Sequence, residues 1–248
     1  MTLLPRLVSL LLFSLILSGQ AVAAPLRIAA AADLSTCMPV LNGGFDGETS
    51  VTIGASGNFY AQIRNGAPFD ILMSADTSYP QALAEAGLAD GASMLVYALG
   101  QLVLWSADPR LDTSRGLQML TDPAVRRIAI GNPEVAPYGR AAKAALQQAG
   151  LWEQLQGKLV YGENIAQAMQ FVESGNAQAG LVSKAHLKGR PAGWVLPAGS
   201  YPVLEQGAII TTRGKDNPAA AHYLRFLRSE RGRALLAGCG FVLPPGRG

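Results

Sequence analysis

The chain has 248 residues, 49% of them hydrophobic and only 15% charged, with a formal net charge of +3. That balance excludes a disordered polyelectrolyte, and no basic stripe of the kind nucleic acid requires breaks the mixed charge pattern. Two cysteines, Cys37 and Cys239, are too few for a disulfide framework and form no Cys-x-x-Cys metal or redox pair.

Residues 1–23 read as a secretory signal peptide. One positive charge, Arg6, precedes an apolar run from Leu7 to Leu17, and Ala21-Val22-Ala23 supplies the small residues a signal peptidase reads. The run is too short for a comfortable membrane span, and no later stretch approaches the roughly 20 apolar residues of a spanning helix. No cysteine follows the run to carry a lipid. Residues 24–248 are therefore expected as a soluble periplasmic protein, long enough for one large domain or two small ones. Export makes a Cys37–Cys239 disulfide chemically possible, and the sequence leaves the pairing open.

The mature chain alternates short β-like runs with helical patterns. Strands are predicted at Leu26–Ala31, Ser50–Ile53, Phe69–Ser74, Leu102–Trp105, Arg127–Ile130, Leu159–Tyr161, Ala179–Val182, Trp194–Leu196 and Ala208–Thr212. Most are apolar on both faces, as strands in a parallel or mixed sheet covered by helices are. Helices are predicted at Phe59–Asn65, Pro80–Ala86, Gly139–Ala149, Ile165–Ser174 and Pro218–Arg228, with Arg225, Arg228, Arg231 and Arg233 on a solvated face. Such alternation predicts a doubly wound α/β protein. Two lobes would be joined by chain passing near Leu99–Leu102 and again near Glu205–Ala208.

Four strand-to-helix turns are built from small or turn-forming residues: Ala29–Ser35, Gly54–Asn58, Gly131–Gly139 and Gly162–Asn164. Helix starts leave backbone N–H groups unpaired and carry the positive end of the macrodipole, so each is a possible anion site. In open α/β sheets such turns gather outside the carboxyl ends of the strands. Within Ala29–Thr36, Gly54–Phe59, Asn132–Arg140 and Gly162–Ala166 only Arg140 is basic, and it either touches a ligand or lies in solvent. The ordinary alternative for each turn is cap and loop chemistry.

The same residues resemble the periplasmic molybdate-binding protein family of ABC transporters over essentially the whole mature length. The resemblance rests on AAAADL (29–34), ASGNFYAQI (55–63), NGAPFDILMSAD (65–76), GNPEVAPYGRAA (131–142) and GLV (180–182). It implies a two-lobed periplasmic-binding-protein fold, each lobe a mixed sheet flanked by helices, with the ligand cleft between lobes. The lobes would comprise residues 24–99 plus 207–248 and residues 100–206. It further implies oxyanion binding at Ala32 and Asp33, at Ser56 through hydroxyl and backbone N–H, and at Tyr138 and Ile165 through backbone N–H. The implied cargo is molybdate or tungstate, with no other cofactor and no side chain coordinating the metal. The implied partner is an inner-membrane ABC permease, and the protein would be a monomer.

Two positions depart from the family pattern. Asp33 stands where many members have serine or asparagine, and Ser183 where some use a tyrosine hydroxyl. A carboxylate facing a dianion in a dehydrated pocket would be repelled. The expected arrangement has Asp33 capping the following helix while its own N–H faces the cleft. The alternative is a protonated acid that donates to the oxyanion, which needs a large upward pKa shift. Competing functions are a binding protein for a different oxyanion or organic acid, a periplasmic hydrolase using Ser56, and a structural module. No Gly-x-Ser-x-Gly elbow, phosphate loop or metal-spaced histidine supports an enzyme. Trp105, Trp152 and Trp194 are expected in packing, and Asp70 and Asp76 at strand-end turns.

Overall fold

The structure, a computed structural model, describes residues 24–245, so the predicted signal peptide lies outside the described residues. The first stretch runs β1 (Leu26–Ala31), a 3-10 turn at Ala32–Leu34, α1 (Met38–Gly44), β2 (Thr49–Gly54), α2 (Ser56–Arg64), β3 (Ile71–Ser74), α3 (Ser78–Glu85) and β4 (Leu95–Gly100). The middle stretch holds β5 (Leu102–Trp105), β6 (Ile128–Gly131), α4 (Pro137–Gln148), α5 (Trp152–Leu155), β7 (Leu159–Gly162), α6 (Ile165–Glu173), β8 (Ala179–Ser183) and β9 (Trp194–Val195). The chain ends with β10 (Leu204–Ile210), α7 (Pro218–Arg228) and α8 (Glu230–Gly238).

These strands form two five-stranded sheets, ordered β2-β1-β3-β10-β4 and β7-β6-β8-β5-β9. In each sheet three neighbouring strands run parallel, and one strand lies antiparallel to both its neighbours: β10 in the first, β5 in the second. The chain leaves the first sheet at Gly100 and returns at Leu204, and those two residues are paired partners in the ladder. Each lobe is thus a mixed sheet with helices on its faces, as the sequence predicts.

Packing explains which residues became which element. In the first lobe, Phe59 and Ile63 of α2 pack with Leu72, Leu83 and Ile209 on one face of the sheet. The other face buries Ile28, Leu34, Ile71 and Met73 against Tyr223, Leu227 and Leu236 of α7 and α8. Each fully buried aliphatic side chain contributes roughly 1.5–3 kcal/mol. The second lobe's core includes Ala31, Ala32 and Ala75 of the first lobe, so the opening alanines pack against the opposite lobe. Trp105 is buried there, with Trp152 and Trp194 packed against the same cluster.

β4, α5 and α8 were not anticipated, whereas the helix expected after Asp33 is present and short. β4 belongs to an apolar run that continues into β5, and only Gly100-Gln101 divides that run between two sheets. α1 holds weak helix formers, Asn42-Gly43-Gly44, but carries Pro39 in its first turn, where a missing N–H costs nothing. α8 follows α7 after the single residue Ser229, whose side chain accepts from Gly232 N and starts a new helix. Arg225, Arg228 and Arg231 are exposed, consistent with a solvated face. Cys37 and Cys239 form a disulfide that ties the start of α1 to the end of α8.

Candidate functional site

Ala32, Asp33, Ser56, Tyr138 and Ile165 line one small cavity between the lobes. Ala31, Gly54, Ala55, Ala75, Ala136, Pro137 and Asn164 complete its wall beside them. Among the described residues that line it, none is Lys, Arg or His. The parallel strands β1, β2, β6 and β7 all end at this cavity, which brings the four turns together.

The helix starts present backbone N–H groups by construction. Ser56 and Ile165 are the first residues of α2 and α6, and Tyr138 is the second of α4, where no intrahelical acceptor exists. Asn164 caps α6 by accepting from the N–H groups of Ala166 and Gln167 at 3.0 and 3.1 Å. That leaves the Ile165 N–H for the cavity. Ser56 Oγ accepts from Ala75 N at 3.0 Å, so its own proton is free to point elsewhere. Ala and Gly at the neighbouring positions keep the approach to these N–H groups unobstructed.

Asp33 is not the helix cap that the sequence suggests. Ala31 occupies the cap position of the 3-10 turn and Asp33 lies inside the turn, without a side-chain capping bond. Its carboxylate is carried inward beside Tyr138 and Gln206, fully buried, and no hydrogen bond of normal geometry reaches either oxygen. Burial pushes its pKa up to about 7, against the weaker opposing influence of the Tyr138 hydroxyl and then of other nearby donors. The Tyr97 and Tyr138 hydroxyls are raised as well, first by burial and then by the charge Asp33 would carry.

Ser183 does not take the place of a tyrosine donor. Its hydroxyl bonds Tyr138 Oη at 3.1 Å and accepts from Ala185 N, capping the next turn beneath the cavity. Tyr138 therefore sends its hydroxyl to that floor and offers the cavity its backbone. Gly100 makes room for this, since a Cβ there would lie 2.3 Å from Tyr138 Oη and 2.6 Å from Gln206 Nε2.

His186 has a role that the sequence does not signal. From the turn after β8 its Nε2 lies 3.0 Å from the Ala32 carbonyl and 3.3 Å from Ser35 Oγ. The carbonyl can only accept, so Nε2 carries the proton, and burial lowers the ring's pKa, which keeps it neutral. The histidine thereby fixes the first turn of the cavity from the opposite lobe. Arg140 lies outside the cavity wall and faces Asp76 and Tyr79 instead.

Comparison with known proteins agrees with this architecture. The family described as bacterial extracellular solute-binding protein matches residues 26–242. The chain is 38% identical to the molybdate-binding protein ModA of Azotobacter vinelandii over 237 residues, covering 92% of this chain and 94% of the relative. It is 40% identical to ModA of Rhodobacter capsulatus over 191 residues, covering 76% and 75% of the two chains. The solved periplasmic molybdate-binding protein of Azotobacter vinelandii superposes with a TM-score of 0.82 at 33% identity, covering 88% of this chain and 99% of that one.

Proposed function

Because the chain belongs to the bacterial extracellular solute-binding protein family, we propose that it captures molybdate, with tungstate as an equivalent cargo, in the cleft between its lobes. It hands the anion to an inner-membrane ABC permease and acts in the periplasm as a single chain once residues 1–23 are removed. The observation that carries this reading is the convergence of several helix starts and one free hydroxyl on a small cavity without a cation.

Backbone N–H groups at Ala32 and Asp33, Ser56, Tyr138 and Ile165, with the Ser56 hydroxyl, replace the anion's hydration shell. Neutral, fixed donors stabilise a dianion without needing to reorganise, and the buried setting strengthens each bond. Asp33 is compatible with the cargo in its neutral form, in which the repulsion between carboxylate and oxyanion is absent. Lobe closure buries the anion, and release needs only opening. Discrimination against sulfate follows from size, because a rigid donor set cannot contract around the smaller tetrahedron. Ser56 Oγ accepts from Ala75 N, and no described residue lining the cavity is a histidine that would pair with it, which favours a binding role for Ser56 over a nucleophilic one.

Calorimetric titration of residues 24–248 with molybdate, tungstate, sulfate and phosphate tests the proposal. One-to-one binding of the first two and silence from the others is expected. Ser56→Ala should weaken molybdate binding roughly tenfold, the effect of losing one hydrogen bond to a charged group. Heat from another anion or an organic acid, with molybdate silent, would replace the cargo assignment.

A further inference from the structure

Arg140 is placed at the mouth of the cleft, on the first turn of α4 in the second lobe. Its Nη2 is ion-paired with Asp76 Oδ2 and its Nη1 donates to Tyr79 Oη at 2.9 Å. The guanidinium also lies over the Tyr79 ring, 5.1 Å from its centroid. Asp76 follows β3 and Tyr79 lies in the first turn of α3, so all three contacts join one lobe to the other. The acceptor is held in place beforehand: Asp76 accepts from the hydroxyls of Ser74 at 3.1 Å and Ser78 at 2.8 Å. Close by, Gly57 N donates to Val135 O at 2.9 Å, a backbone bond between the same two lobes.

We propose that Arg140, Asp76 and Tyr79 form a latch across the cleft mouth that sets how long the closed form persists, and so the rate at which the anion is released. The proposal rests on the anion-capture reading above. None of the three residues lines the cavity, so their contacts favour closure without touching the cargo. A contact made only in the closed state multiplies apparent affinity by raising the closed fraction, whatever the anion's own bonds are worth. Arginine suits the position because one planar group makes the ion pair, the hydroxyl bond and the ring contact together. The Arg140 side chain is 40% exposed and that of Asp76 17%, so the latch is open to salt and can be undone without dismantling a core. Asp76 is thus a positioning residue for closure, which a strand-end turn residue alone would not be.

Stopped-flow tryptophan fluorescence with sodium molybdate gives association and dissociation rates. Spin labels at the exposed Gln81 of α3 and Gln147 of α4 report the distance between lobes. Arg140→Gln and Asp76→Asn should each speed dissociation about 3- to 10-fold, in the same direction although they change the local charge oppositely. Both should also populate a longer label-to-label distance. Arg140→Lys should restore part of the slow release, because it keeps the charge and loses the forked geometry. Dissociation rates and distances equal to wild type in both variants would overturn the latch. If the wild-type protein takes up no molybdate, the cargo reading fails on its own, and the distances without anion still decide. Variants that open relative to wild type support the latch, and unchanged distances overturn it.

Discussion

Asp33 has a buried carboxylate without a cation or a well-formed hydrogen bond against it, and that isolation governs how the protein responds to pH. Burial raises its pKa from 3.8 to about 7, so the native state holds the proton more tightly than the unfolded chain does. Its contribution is fully present below about pH 4 and is lost as pH rises through about 7, a change on the order of 4 kcal/mol. Asp33→Asn removes the charge and keeps the shape. Its melting temperature should exceed that of wild type by more at pH 8.5 than at pH 5, and a gap that does not change with pH would contradict the assignment. Molybdate affinity should fall over the same range in wild type and stay flat in the variant, because an ionised carboxylate repels a dianion.

At the scale of elements, α2 shows how close the lobes come. A Cβ at Gly57 would stand 3.0 Å from Val135 Cα and 2.6 Å from Tyr79 Oη, and the Val135 backbone cannot rotate away. Alanine favours helix over glycine by roughly 1 kcal/mol, so Gly57→Ala should leave unliganded melting unchanged or higher. Molybdate affinity measured by calorimetry should nonetheless drop about tenfold, because closure is impeded. The turns themselves were legible in the sequence because small residues and caps are local signals. Ser56 at a helix start and the run before Asp33 can be read from a few neighbours. The backbone roles proposed for Tyr138 and Ile165 came from family resemblance, since a backbone N–H leaves no mark in side-chain chemistry. The direction of the Asp33 carboxylate, the His186 contact with Ala32 and the Arg140 pair with Asp76 were not legible. The last two join positions 154 and 64 residues apart, and no local pattern encodes them. β4 was missed for a related reason: an apolar run shows that it is buried, without showing in which sheet.

At the scale of the whole molecule, the Cys37–Cys239 bridge spans 202 residues of chain and joins two parts of the first lobe. Restricting the unfolded chain this way is worth about 2–4 kcal/mol. Replacing both cysteines by serine should lower the denaturant midpoint accordingly, and molybdate affinity should stay within about twofold because neither cysteine lines the cavity. The sheet order has a further consequence for biogenesis. β10 sits between β3 and β4, so the first sheet is incomplete until residues 204–210 have been made. Until then β3 and β4 each present an unpaired edge, whereas the second sheet is drawn from one continuous stretch of chain. The nascent first lobe thus stays open while most of the polypeptide emerges, and its leading end cannot settle into a finished sheet before residues 204–210 are available. The last helices then bring Cys239 to Cys37, so the bridge can close only after nearly the whole chain has been made.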